Sequence, residues 1–178
     1  TIHWEGVRSA RTECLLAWCK ENEDAHIKLF SDSAKDAKGQ GQKKKQSGTS
    51  RDVVYSQVAQ AVFLNNKDLE VQRLFKEDPK AFIKPVSTRF CILRKKYNEF
   101  NKDLKQSGAG KTYVELQEDP KMKSLIDTKL KKFPWWPELH GLWQTNPAFN
   151  HAFSTVDTGQ DFASAALEHF NLSKHPKS

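Results

Sequence analysis

The stretch KPVSTRFCILRKKYNEFNKDLKQSGAG, residues 84–110, decides how this chain reads. Val86, Phe90, Leu93, Tyr97, Phe100 and Leu104 step by four and three in alternation, which lines them along one face of an α-helix. The opposite side carries Lys84, Ser87, Thr88, Arg89, Cys91, Arg94, Lys95, Asn98 and Lys102. Pro85 suits a first helical turn, where its missing N–H has no intrahelical partner. Ser107-Gly108 reads as the stop, with Gly108 available for a left-handed cap. About twenty helical residues at 1.5 Å each would span roughly 30 Å. The second half of such a helix is expected to project beyond a small three-helix core.

The charge distribution singles out the same stretch. The chain has 178 residues and a net charge of +7. Residues 84–111 hold eight basic and two acidic side chains, a net +6, and residues 31–51 hold six and two, a net +4. The rest of the chain is slightly acidic. A positive excess confined to one loop and one helix suits nucleic acid, an acidic protein or an anionic surface. Five Trp and eleven Phe are enough for a real core. No apolar run has the length of a membrane span, and TIHWEGVRSA does not resemble a secretory leader. Cys14, Cys19 and Cys91 form no CxxC pair and cannot all pair internally, which favours a reducing compartment. Cys14 and Cys19 read as small core or near-core residues.

The rest of the chain reads as further helices. Ser9 is the expected cap of a helix over 9–29, with an apolar face of Leu15, Leu16, Trp18, Cys19, Ile27 and Phe30 and with Trp4 packing back on it. Residues 31–50 are rich in Gly, Ser, Gln and Lys and read as a flexible insertion. Ser50 opens a second helix ending near Leu64, whose buried stripe is Val54, Val58, Ala61, Val62 and Phe63. A short helix over Leu69 to Phe75 stops before Pro79. Another fits 119–132, where Met122, Leu125, Ile126 and Leu130 share a face. FPWWPELHGLW, residues 133–143, reads as a turn and short helix whose aromatics seal a core. A short helix is expected around Gln160 to Phe170, and no segment reads as a strand.

Several motifs fail on their spacing. GAGKT at 108–112 ends like a phosphate-binding loop, but the first required Gly falls on Lys105 and the segment follows a helix instead of a strand. The six His residues lack metal-ligand spacing. Asp127, Glu138 and Asp161 show no pairing that argues for a metal-dependent nuclease. What remains is three helices, the third basic outside, a unit whose third helix fits a DNA major groove.

The quoted stretch resembles the third helix and following turn of Myb/SANT-like (trihelix-type) DNA-binding domains, of the kind found in fungal and plant transposon-associated proteins. The resemblance rests on Val86, Ser87-Thr88, Arg89, Phe90, Leu93, the basic run Arg94 to Lys96, Tyr97, and Leu104 through Ser107, Gly108 and Gly110. Trp4 and Leu15-Leu16 resemble the family's opening, and FPWWPELHGLW its close, so residues 4–143 are covered. It implies an all-α fold: a three-helix, helix-turn-helix bundle over 1–110 with a long third helix. A helical and aromatic extension over 111–150 and a tail over 151–178 would follow.

The resemblance also implies a nuclear, non-enzymatic module with double-stranded DNA as partner, and without cofactor, metal, membrane or small-molecule substrate. Lys84, Ser87, Thr88 and Cys91 are the expected base-edge contacts. Arg89, Arg94, Lys95 and the loop residues Lys43, Lys44, Lys45 and Arg51 are the expected phosphate contacts. Family members commonly carry Lys or Asn where this chain has Ser87-Thr88, and hydroxyls discriminate bases weakly. The competing expectation is a chromatin-associated protein-interaction module, using the aromatic segment and the helix near 160–170. A third is one domain of a larger transposase-like enzyme whose catalytic part lies outside this chain.

Overall fold

A computed structural model describes residues 1–29, 50–109, 111–146 and 149–150, with backbone alone for 105–109. The expected insertion and its Lys43, Lys44 and Lys45, together with Phe30 and the tail helix near 160–170, lie outside the described residues. Within them the protein is all-α, with no strand. A 3-10 turn at Gly6–Arg8 leads into α1 (Ala10–Glu21) and α2 (Glu23–Ile27). Next come α3 (Arg51–Phe63), α4 (Leu69–Glu77), a 3-10 turn at Pro79–Phe82 and α5 (Ile83–Ala109). The described helices end with α6 (Tyr113–Glu118), α7 (Pro120–Leu130) and α8 (Trp136–Trp143).

The first expected helix is two. It breaks at Asn22, which leaves the helical region (φ −125°, ψ 51°). Its backbone N–H and its side-chain Nδ2 both donate to the Trp18 carbonyl, at 2.9 and 3.0 Å. This is the local competition by which Asn ends helices. Ser9 does not cap with its side chain, because the preceding 3-10 turn already supplies a helical entry. Cys14 is exposed and only Cys19 is buried. On α3 the buried face runs through Val54, Tyr55, Val58, Ala59, Val62 and Phe63, which turns Ala61 outward. Asp68 caps α4, and Asp78 ends it before Pro79.

The longest element is α5, at 27 residues and about 40 Å. It runs on through Gly108 instead of stopping there. The expected stripe is buried along its whole length: Val86, Phe90, Leu93, Tyr97 and Leu104 are fully enclosed, and Phe100 nearly so. The first half packs on α3 and the Pro79–Phe82 turn, and the second half on α7 and α8. The second half therefore does not project. Trp136 stacks on Phe100 with ring centroids 4.4 Å apart, and Trp143 meets Tyr97 edge-on at 5.4 Å. Trp135, Trp136, Leu139 and Trp143 are all buried.

Most polar atoms of this aromatic layer are paired, as burial demands. Trp136 Nε1 donates to Asn101 Oδ1 at 3.0 Å, and Asn101 Nδ2 to Asn150 Oδ1 at 3.2 Å. The Lys111 carbonyl can only accept, so His140 carries its proton on Nε2 (2.6 Å), and its bare Nδ1 takes the Tyr97 hydroxyl at 2.9 Å. Trp143 Nε1 donates to His26 Nε2 at 2.6 Å, so the neutral His26 ring holds its proton on Nδ1, which has no partner.

Burial lowers the pKa of His26 from 6.5 to about 4, and burial moves His140 the same way. Between these values the unfolded chain binds a proton at His26 that the folded chain does not, so stability rises with pH across this window. Acidification from pH 6.5 to 4 is expected to cost on the order of 3 kcal/mol through His26. Urea unfolding of wild type and H26N at several pH values checks this. The variant's stability, relative to its own value at pH 7.5, should fall less steeply over that window.

Candidate nucleic-acid interface

With its apolar stripe covered, α5 presents one long face to solvent. Lys84, Thr88, Cys91, Lys95 and Lys102 are exposed, and Ser87 and Arg94 are half-buried beside them. Lys84 and Lys102 are 18 residues apart, about 27 Å along the axis. Cys91, Arg94, Lys95, Asn98, Glu99 and Lys102 line a shallow open depression of about 270 Å³. Lys95 has 78 % of its side chain accessible, and its contact with Glu99 is long at 3.9 Å. Such an exposed i,i+4 pair holds the ammonium only weakly.

Arg51, at the start of α3, belongs to the same neighbourhood. The buried Tyr55 phenol is pushed up first by burial and then by Cys91, while Arg51 and Arg94 both act to lower it. The ring of Tyr55 in turn lies 5.9 Å from that of Phe90. Tyr55 thus packs the opening turns of α3 against α5 at Phe90.

Two residues expected on this face are inside the protein. Arg89 is 2 % exposed. Its Nη1 donates to Glu5 Oε1 at 3.0 Å and its Nη2 to Thr12 Oγ1 at 2.9 Å. The guanidinium lies 5.0 Å from the Trp135 ring centroid and 5.8 Å from that of Trp4. Burial lowers its pKa and the Glu5 hydrogen bond opposes that, and the guanidinium remains charged. Arg89 is therefore a structural tie and not a phosphate contact. Its position could be read from spacing: three residues after Val86 and four before Leu93, it shares their face. Asn98 is also covered, donating to the Phe149 and Arg94 carbonyls at 2.7 and 2.9 Å.

Lys96 is held as well. Its ammonium lies 2.8 Å from the same Glu5 oxygen that takes Arg89. Lys96 and then Arg89 hold the Glu5 carboxyl below its usual range. Thr112, the last residue of GAGKT, is engaged within the chain: its N–H and hydroxyl both donate to Glu115 Oε2 at 2.7 Å in a capping box that opens α6. Glu138 pairs with Lys20 at 2.7 Å, and Asp127 is exposed on α7. Asp161 lies outside the described residues. Among the described residues no group of His, Cys, Asp and Glu could hold a metal ion. Burial pushes the Cys19 thiol up to about 12.

No family model matches this chain, and searches of curated proteins and of solved structures found no match either.

The contrast between Arg89 and Lys95 is measurable. Truncating a large buried side chain costs about 2–5 kcal/mol, whereas an exposed pair of the Lys95–Glu99 kind contributes at most about 0.5 kcal/mol. Arg89→Ala is expected to lower the urea midpoint strongly or to leave the chain unfolded. Lys95→Ala should keep the wild-type midpoint. Equal midpoints for Arg89→Ala and wild type would remove Arg89 from its structural role.

Proposed function

We propose that the protein is a non-enzymatic duplex DNA-binding module in which α5 lies in the major groove. One observation carries this reading. A 27-residue helix is fully covered on one face, while the other face runs for about 27 Å with Lys84, Arg94, Lys95 and Lys102 along it and Arg51 at the start of α3, which packs on α5 through Tyr55 and Phe90. The groove is about 12 Å wide and admits a helix of about that diameter. In this reading α1, α3 and α5 form a Myb/SANT-like three-helix unit, and α6 to α8 brace the third helix. A nuclear transcription regulator or a transposon-derived DNA-binding protein is the setting that fits.

The roles follow from the chemistry of each side chain. Arg51, Arg94 and Lys95 neutralise phosphates, fix the register and release condensed counterions. Lys43, Lys44 and Lys45 extend that contact from the loop. Lys84 can donate to guanine, and the Thr88 methyl and the Cys91 side chain can pack against a thymine methyl. Ser87 is half-buried and adds a hydroxyl of low selectivity. Affinity therefore comes mainly from charge, and base discrimination is modest. The aromatic segment that the protein-interaction alternative would use is buried at Trp135, Trp136, Leu139 and Trp143, and its second element, the helix near 160–170, lies outside the described residues.

The test is duplex binding at several salt concentrations. Each neutralised phosphate contributes a slope of about −0.9 in log K against log salt. The double variant Arg94→Ala, Lys95→Ala should bind all duplexes more weakly, with a slope flatter by about 2. Unchanged binding by that variant would remove α5 as the contact surface. A protein partner retained at high salt, with no duplex binding at low salt, would favour the interaction-module alternative.

A further inference from the structure

Of the described α5 cations assigned to phosphate, Lys95 marks the crest and Arg94 falls to one side of it, yet a helix in the major groove runs between two backbones. At roughly 100° per residue, Arg94 lies on one shoulder of the ridge marked by Lys95 and Lys102. Asp103, one residue past Lys102, lies on the other. That second shoulder is built differently. It bears the exposed Glu99 and Asp103, and its own Lys96 is held by Glu5. Left alone, it would repel phosphate.

The end of α7 docks on this shoulder. The Lys129 ammonium pairs with Asp103 and sits 5.3 Å from the Phe100 ring centroid. Phe133 is buried just beyond. Lys96, Glu99, Asp103, Lys129 and Lys132 line one shallow groove together with the two phenylalanines. Each carboxylate here has a cation: Glu5 has Arg89 and Lys96, Glu99 has Lys95, and Asp103 has Lys129. Lys131 and Lys132 are exposed and pair with no carboxylate among the described residues.

We infer that Lys131 and Lys132, at the end of α7, form a second phosphate clamp that meets the DNA backbone opposite the one contacted by Arg51 and Arg94. This inference rests on the DNA-binding reading above. Lys129 neutralises the acidic shoulder, and the two lysines that follow turn it positive. The aromatic packing of α5 against α7 and α8 then serves to place a second charged edge at a fixed distance from the first. Both edges read phosphate and neither reads sequence.

Two lysine pairs on α7 separate a contact from a general charge effect. Lys131→Ala with Lys132→Ala removes the proposed clamp. Lys121→Ala with Lys123→Ala removes the same charge about 15 Å away at the other end of the helix. The probe is a mixed-sequence duplex, titrated at several salt concentrations, with melting temperatures confirming that each variant folds. The K131A/K132A protein should bind more weakly, with a slope flatter by about 2 and unchanged sequence preference, while K121A/K123A keeps the wild-type slope. The inference is overturned if K131A/K132A keeps the wild-type slope, or if both pairs flatten it equally. If the slope falls in Arg94→Ala, Lys95→Ala but not in K131A/K132A, the DNA-binding reading stands without the second clamp. A wild-type protein that binds no duplex at low salt overturns both.

Discussion

A helix of about 40 Å with an apolar stripe from end to end has to be covered from end to end, and this constraint organises the described structure. Six large side chains on α5 enter the core, each stabilising the fold by about 1.5–3 kcal/mol. Neither α3 alone nor α8 alone can reach all six. The chain solves this by covering Val86 to Leu93 with α3 and the Pro79–Phe82 turn, and Tyr97 to Leu104 with α7 and α8. The tryptophans of 133–143 belong to the second cover. The same cover holds α5 rigid while its other face stays open to solvent.

The buried charge at Arg89 joins the two covers. Its guanidinium touches Glu5 and Thr12 on the N-terminal side and Trp135 on the C-terminal side. It therefore ties the leading segment, α1 and the aromatic turn to one position on α5. The Glu5 carboxylate also takes Lys96, which removes a second cation from the surface. The exposed charge of α5 is smaller than its composition suggests and more one-sided. Arg94 lies on one shoulder, while on the other Lys96 is held by Glu5 and Lys129 pairs with Asp103.

Much of this was legible in the sequence because helical period is a strong signal. The inner stripe of α5, the span of α3, the stop before Pro79 and the apolar face of α7 follow from spacing and from proline. The misses have local causes. Asn22 breaks an otherwise continuous pattern through two hydrogen bonds to one carbonyl. The Thr112–Glu115 capping box signals α6, but its residues lie beside a segment that resembles a phosphate loop. Arg89 and Asn98 read as outward by polarity alone. Spacing alone puts Arg89 on the face of Val86 and Leu93, but the partners that satisfy it and Asn98, namely Glu5, Thr12 and Phe149, are 51 to 84 residues away in sequence and periodicity does not identify them.

The central claim is that the outer face of α5 meets DNA, and two exposed cysteines allow a direct test. Cys91 sits in the middle of that face and Cys14 lies on α1. The measurement is the rate of iodoacetamide alkylation at each thiol, read by mass spectrometry with and without saturating duplex. At low salt the duplex should slow alkylation of Cys91 severalfold and leave Cys14 unchanged, and high salt should abolish the protection as the phosphate contacts are screened. Equal Cys91 rates with and without a duplex that the protein demonstrably binds would place the contact elsewhere and contradict the account.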